Sequence, residues 1–254
     1  MSALKPRPGY GLVEALVSLA LSGVVMAAAS QGLAQHLRLR HERDEQARAD
    51  DIVQVVRDVL RAELDHADPA VQVLGDTAVQ LASSRVVAFA CDQSASRLVL
   101  PASELWWSAP HAGDSLALID TVTGSEWRTA VLATGTQHAS ARCPMGGTRL
   151  TMAVPPPSTV PALLLPGRVW RTVRYLVYRG GDGAWWLGER SCTPACGSAQ
   201  PVAGPLLSPS RGGLRLTLVL RPDGRPVALD VSARAVIGGR SSSMSARLPL
   251  AAVP

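Results

Sequence analysis

The 254-residue sequence predicts an α+β fold in which one long N-terminal helix packs on an antiparallel β-sheet. Two observations predict the helix: an apolar run at residues 10–33 and a charged, proline-free segment that continues to His66. The third predicts the sheet, because apolar and polar residues alternate in many short segments after Pro69.

The apolar run is long enough to cross a membrane. Its 24 residues contain only two ionisable side chains, Tyr10 and Glu14. As a helix it would extend roughly 36 Å, against about 30 Å for a hydrocarbon core. Lys5 and Arg7 precede the run, so the positive-inside rule places the N-terminus in the cytoplasm. The small residues at 27–29 leave a cleaved secretory signal open as an alternative.

Glu14 is the unusual residue of this run. A carboxylate at the centre of a bilayer costs about 2.5–3.5 kcal/mol, and somewhat less near the end of a helix. A partner cation would offset that cost, and a free α-amine created by cleavage before Tyr10 is a candidate. The position of Glu14 therefore argues against a simple anchor or a discarded signal.

The segment from Gly9 to Leu21, GYGLVEALVSLAL, resembles the class III signal of type IV prepilins and type II secretion pseudopilins. The resemblance implies cleavage by a prepilin peptidase between Gly9 and Tyr10, followed by methylation of the Tyr10 amine. It also implies that Glu14 neutralises the N-terminal amine of a neighbouring subunit in the assembled fibre. Tyr10 replaces the commoner phenylalanine and Gly11 the usual threonine. The helix-kinking proline of many major pilins is missing, which favours a minor subunit.

The resemblance implies a complete plan for the chain. Residues 1–9 would be the leader, 10–35 the transmembrane helix, 36–68 its amphipathic continuation, and 69–254 an exported β-rich head. The expected protein is a minor pilin, similar to the W type, or a minor pseudopilin, similar to the J type. It would sit in the inner membrane as a single-pass protein, with its head in the periplasm or outside the cell, and then join the pilus or pseudopilus.

The implied partners are other pilins or pseudopilins, the prepilin peptidase, the inner-membrane assembly platform and, before assembly, membrane lipid. The alternative is a membrane-anchored periplasmic binding module that does not polymerise. An enzyme is the weakest option, because the sequence contains no serine-nucleophile elbow, metalloprotease helix or phosphate loop. We expect no cofactor and no metal.

The charged continuation of the helix carries an apolar stripe, which we expect to pack on the sheet. Asp68-Pro69 should end the helix, because the residue before a proline avoids the α region. Glu63 falls within the stripe as an exception. The stripe consists of Ile52, Val55, Val56, Val59, Leu60 and Leu64, and the opposite side carries Arg57, Asp58, Arg61 and Asp65.

Alternation predicts half-buried strands at residues 150–154, 214–220 and 227–233. Further strands are predicted at residues 71–74, 86–91, 98–100, 115–120, 126–132, 169–178 and 184–190. Turn sequences at 180–183 and 221–226 predict two hairpins. Residues 155–157 and 208–213 should be loops. The polar tail from Ser241 onward leaves two alternatives open, an edge strand or a disordered end.

Four cysteines form an even set, which suits an oxidising compartment. Three connectivities are possible. We prefer Cys91–Cys143 with Cys192–Cys196, because the close pair needs only a small loop to close. A metal knuckle or a redox pair at Cys192 and Cys196 is the alternative, but no second cysteine or histidine pair completes a zinc signature.

The C-terminal part of the chain is basic, with 13 basic and 4 acidic residues in 146–254. Such a balance permits contact with anions, nucleic acid included. Lys5 is the only lysine, so this arginine usage is better explained by genomic base composition, and DNA is not an expected partner. A patch that met phosphates would comprise Arg211, Arg215, Arg221, Arg225, Arg234, Arg240 and Arg247.

Two further features of the head have ordinary structural explanations. Asp182 lies among glycines and could ligate calcium, but a hairpin turn explains it better. In each of the pairs Trp106-Trp107 and Trp185-Trp186, alternation should place one ring in the core and the other outside or at a contact.

Overall fold

The computed structural model describes residues 11–68, 70–94, 96–101, 110–119, 126–155, 166–193 and 195–250. Within them the chain forms one α-helix, α1 (Leu12–Asp65), and thirteen strands. The strands are β1 (Gln72–Val73), β2 (Ala78–Phe89), β3 (Asp92–Ser94), β4 (Arg97–Pro101), β5 (Ser115–Ile119), β6 (Glu126–Gln137), β7 (Gly147–Met152), β8 (Pro166–Arg179), β9 (Trp185–Ser191), β10 (Gln200–Leu206), β11 (Leu214–Leu220), β12 (Pro226–Ile237) and β13 (Arg240–Pro249). The α+β arrangement with a helix on an antiparallel sheet is confirmed.

Helix α1 runs without interruption for 54 residues. It begins at Leu12, after Gly11, whose backbone is extended, and ends at Asp65, just before the stop that the sequence predicts at Asp68-Pro69. Its buried side chains lie three or four residues apart, which places them on one stripe. They are Ala49, Val53, Val56, Leu60 and Leu64.

The predicted stripe is correct at its centre and wrong at one edge. Ile52 and Val59 are only partly buried, and Val55 is 41% exposed. Val53, which was not assigned to the stripe, is buried. The stripe is therefore rotated toward Ala49 and Val53, because the sheet meets the helix on that side.

The strands form one antiparallel system in the order β11-β12-β10-β9-β8-β5-β6-β7-β4-β3, with β13 on β12, and β1 and β2 joining through β8. Strand β8 is central. It pairs with β2 along one edge, and with β5 and then β9 along the other. Strand β6 pairs with β5 in its first half and with β7 in its second, so it carries the chain from one part of the sheet to the other.

Two hydrophobic cores result. The larger, here called the helix core, lies between α1 and the part of the sheet that includes β12 and β13. The smaller, the far core, is built by β4 to β7 with Val169 of β8, and no residue of α1 belongs to it. Its buried residues are Ala90, Leu98, Leu100, Leu116, Leu118, Val131, Leu150, Met152 and Val169.

Most predicted strands are present, usually longer than expected. Strand β2 starts at Ala78 rather than at residue 86, because its serines hide the alternation although Ser83 is buried. Strand β10 was not predicted, since proline normally marks an edge or a non-strand. The structure accommodates Pro201 and Pro205 through register shifts against β9. The polar tail is an edge strand, β13, paired along its length with β12.

Glu63, the exception in the helical stripe, has a partner in the sheet. The guanidinium of Arg85 donates to Glu63 at 3.0 Å and to Glu189 of β9 at 3.1 Å. Arg85 is the extra residue at a register shift between Ser84 and Val86 of β2. A bulge of this kind re-aims a side chain, and here it directs a cation to the helix. The Arg85 cluster (Glu63, Arg85, Glu189) therefore joins the helix to two strands.

Burial makes this cluster sensitive to the loss of a member. The side chains of Glu63 and Arg85 are only 13% and 12% exposed. Burial alone lowers the pKa of Arg85, but the carboxylates of Glu63 and Glu189 outweigh it and raise that pKa above its ordinary value. Burial and the same two carboxylates raise the pKa of the adjacent Tyr175 hydroxyl, which stays neutral. The cluster thus holds a permanent cation beside a neutral phenol.

We expect Arg85→Met to destabilise the head by about 3–5 kcal/mol, because Glu63 would remain as a buried charge without a partner. Adding Glu63→Met should recover most of that loss, since the charge itself is then removed. Urea unfolding of the detergent-solubilised chain, followed by tryptophan fluorescence, measures both effects.

The exposed pair Arg57–Asp58 offers a matched control, with 2.9 Å between its charged atoms. Arg57→Met should change the free energy of unfolding by about 0.5 kcal/mol or less. A double variant at Glu63 and Arg85 that is less stable than either single variant would contradict this description of the cluster.

Candidate functional site: the uncovered half of the helix

The first half of α1 has no protein surface against it. Residues 11–41, here called the uncovered half, are all exposed, whereas burial begins at Glu42. By length and composition, α1 is a helix that could cross a membrane, and its most apolar window is entirely unburied. The uncovered half extends for roughly 45 Å, which exceeds a hydrocarbon core of about 30 Å. This helix indicates membrane anchoring.

The hydroxyl groups of this segment are satisfied within the helix. The Ser18 hydroxyl donates to the Glu14 carbonyl at 2.8 Å, and that of Ser22 donates to the Ser18 carbonyl at 2.7 Å. The Ser30 hydroxyl donates to the Ala27 carbonyl at 2.9 Å. Serines bonded in this way do not oppose insertion into lipid, where every polar group needs an internal partner.

Glu14 remains as the one charged side chain between residues 11 and 35. It lies in the first turn of α1, where the helix dipole favours an anion. Across the described residues it forms no ion pair and no side-chain hydrogen bond. Gly9 and Tyr10 lie outside the described residues, so the predicted cleavage and methylation stay predictions.

The helix first meets the head at the tip of the β12–β13 hairpin. Gly238 and Gly239 both have positive φ, 54° and 86°, as a two-residue type I′ turn requires. The Glu45 carboxylate lies against Gly238, where a Cβ atom would collide with it. The Arg240 guanidinium donates to Glu42. Charged contacts therefore mark the start of the covered half of α1.

Both disulfides are present, in the preferred pairing. Cys91 and Cys143 are joined across 52 residues, with their Cα atoms 5.4 Å apart, and Cys143 is buried beside the far core. Cys192 and Cys196 close a short loop after β9. Two disulfides indicate an oxidising compartment.

Loop length predicts a difference between the two bridges. We expect Cys91→Ser with Cys143→Ser to cost about 4 kcal/mol of stability, and Cys192→Ser with Cys196→Ser about 2 kcal/mol, because the longer loop frees more entropy in the unfolded chain. Thermal unfolding of the two double variants measures the difference. An equal loss of stability in both double variants would show that loop entropy does not determine how much each disulfide stabilises the head.

The remaining candidates of the head serve the fold. One carboxylate oxygen of Asp182 accepts the Ala184 amide at 3.0 Å and faces Trp186 Nε1 at 3.4 Å, so it closes the β8–β9 turn. Trp185 packs on the helix core. Trp106 and Trp107 lie outside the described residues. In the described part of the chain, no group of three His, Cys, Asp or Glu residues could hold a metal.

A buried ion pair in the far part of the sheet was not anticipated. Asp114 is 1% exposed and accepts two hydrogen bonds from Arg171 of β8, at 2.9 and 2.8 Å. Its carboxylate also accepts the His111 amide at 2.9 Å. Fifty-seven residues separate the two charges, and no sequence pattern connects them. The pair fixes the chain at the entry to β5.

Comparison with known proteins adds no relative: no protein-family model, curated protein or solved structure matches the chain.

Proposed function

We propose that this protein is a filament subunit of the type IV pilin-like class, held in the inner membrane by the uncovered half of α1 until it is assembled. Three features support the proposal together: the wholly exposed segment 11–41 with its apolar run, the disulfide-bonded head, and the acid at Glu14. In a filament, neighbouring helices would cover the surface that this chain leaves bare.

Glu14 carries the proposal. A simple anchor gains nothing from a carboxylate in its apolar segment, and that carboxylate has no partner among the described residues. The N-terminal amine of a neighbouring subunit, created by cleavage after Gly9, would supply the missing cation. The carboxylate and the amine would meet in only one axial register of the two helices. Glu14 would therefore guide docking, and its pairing would offset the free-energy cost of a carboxylate in an apolar environment.

Within this class we propose a minor subunit, a W-type minor pilin or a J-type minor pseudopilin. The uninterrupted helix through Gln31-Gly32 supports this choice, because major pilins commonly have a proline kink. A membrane-anchored binding module remains the competing function. The two differ in their mature N-terminus and in their dependence on Glu14.

We expect Glu14→Val to leave membrane insertion and leader removal intact but to abolish incorporation into filaments, since the mutant helix lacks the group that pairs with its neighbour. Immunoblots of sheared surface filaments or of an overproduced pseudopilus, beside the membrane fraction, measure incorporation. Ser22→Val is the matched control, because it also makes an exposed position of the same helix apolar, and it should be incorporated normally. Normal incorporation of Glu14→Val would reject the assembly role.

Mass spectrometry of the mature chain provides a separate prediction. A filament subunit should begin at Tyr10 with one methyl group on its α-amine. A chain that begins at Met1, or that starts near Ala29, would instead support the binding module.

A further inference from the structure

The three central strands of the head have a second face, which is turned away from α1. On β2, β8 and β9 the buried apolar side chains lie at alternate positions and belong to the two cores, so the side chains between them point outward. In the described chain β8 packs closely only on β2, β5 and β9, which are its neighbours within the sheet. Six outward residues form a continuous group, here called the outer patch: Gln80, Arg174, Arg190, Gly188, Tyr178 and Trp186.

Two arginines stand side by side on the outer patch. Arg174 and Arg190 are directly opposite each other in the β8–β9 ladder, and like charges in that position destabilise a sheet. Across the described residues neither arginine forms an ion pair, and the outward positions of β2, β8 and β9 include no acid. The repulsion between the two cations therefore has no counter-charge within the described chain.

Both guanidinium groups keep unused donors. Nε and Nη2 of Arg174 donate to Gln80 Oε1 at 3.1 and 2.6 Å, which fixes the group and leaves Nη1 without an acceptor in the described chain. Arg190 Nε is buried and has no hydrogen-bond partner among the described residues. An oxyanion bound between the two groups would remove their repulsion and accept charge-assisted hydrogen bonds from both.

Two aromatic rings lie on the same face, about 13 Å along β8 from the arginine pair. Tyr178 and Trp186 are opposite each other in the ladder, and both are partly exposed. A Cβ atom on Gly188 would lie 2.5 Å from Tyr178 Cε1, and one on Gly204 of β10 would lie 2.7 Å from Trp186 Cε3. The two glycines therefore give both rings room against the sheet, and the remaining surface of each ring is open to a ligand that stacks.

The carboxylate of Asp182 indicates which anionic polymer suits these rings. Its Oδ1 atom accepts the Ala184 amide and faces Trp186 Nε1, whereas Oδ2 has no partner in the described chain. The hydroxyl groups of a sugar can donate to that oxygen. A nucleic acid carries a phosphate on every nucleotide, and an acid beside the stacking rings would repel it. The arrangement favours a hydroxyl-rich polymer with separated carboxylates.

We propose that the outer patch binds an acidic polysaccharide. One uronate carboxylate lies between Arg174 and Arg190, and another sugar of the same chain stacks its C–H face on Tyr178 or Trp186. Because α1 covers the opposite side of the sheet, helix packing in a filament leaves the outer patch free. The inference goes beyond the proposed function and applies equally to a membrane-anchored binding module.

Calorimetric titration of the full-length chain in a nonionic detergent tests this site. The probes are oligogalacturonate, oligoglucuronate and oligomannuronate, and at least one of them should bind saturably. Methyl esterification of that probe should abolish binding, because it removes the charge and keeps the sugar rings. Arg174→Gln with Arg190→Gln should weaken binding about tenfold or more, since hydrogen bonds between two charged groups are lost.

Arg215→Gln with Arg234→Gln is the matched control. These two arginines are exposed on β11 and β12, they have no ion pair within the described ranges, and their loss makes the same change in net charge. The control variant should bind as the unaltered chain does. Tyr178→Leu leaves the charge unchanged and should weaken binding severalfold, because it removes one of the stacking rings.

Several outcomes would overturn the proposal. They are no saturable binding of any uronate probe, equal binding of the methyl ester, an equal loss in the control variant, or unchanged binding by the glutamine variant or by Tyr178→Leu. Tighter binding of a single-stranded oligodeoxynucleotide that the glutamine variant abolishes would assign the outer patch to nucleic acid instead.

Two further variants keep the test independent of folding and of assembly. If thermal unfolding shows that the glutamine variant is not folded, Arg174→Lys with Arg190→Lys replaces it. That variant retains both charges but lacks the planar fork, so it should also weaken binding. The Glu14→Val chain should bind the uronate probe normally, because Glu14 lies outside the head. Failure of the filament role and failure of the polysaccharide site are therefore separate results.

Discussion

The burial of one narrow stripe of α1 against the sheet determines what the rest of the helix can do. Helix α1 packs chiefly on β13, β12 and β10, and its contact begins only at Glu42. Because α1 is continuous, the direction of the covered half also sets the direction in which the uncovered half leaves the head. Some thirty residues, most of them apolar, are thereby held away from the head, where the apolar ones need lipid or other helices as their surroundings.

Polar contacts fix the axial position of α1 on the sheet, which apolar packing alone would leave variable. The Arg85 cluster joins the helix to β2 and β9, and Glu42 and Glu45 meet the β12–β13 turn at the other end of the covered half. Apolar side chains alone would tolerate a helix shifted by one turn, since stripes of valine, leucine and alanine pack with similar areas. A buried carboxylate does not tolerate such a shift, because its penalty is removed only where the cation lies.

The sequence predicted what depends on local pattern. The helix, its boundary near Asp65, the hairpin around Asp182 and the alternating strands all follow from periodicities that neighbouring residues supply. Glu63 was recognised as an exception in its stripe, but its partner Arg85 comes from a bulge that no local signal announces. Strand β10 violates the local rule for proline, and Asp114 with Arg171 is a pairing created only by the topology. At the candidate site, the position of Glu14 was readable from the sequence, whereas the end of the uncovered half at Glu42 required the structure.

Because the head has two separate cores, the part that holds the helix is distinct from the part built around the far core. The far core is closed by its own strands, by the Cys91–Cys143 bridge and by the Asp114–Arg171 pair, and its buried residues include none of α1. Surface side chains around the far core can therefore change without altering the packing of α1 on the sheet. Amino-acid substitutions that adapt the protein to different surroundings can accumulate around the far core. The residues of the helix core are constrained, because they hold α1 on the sheet.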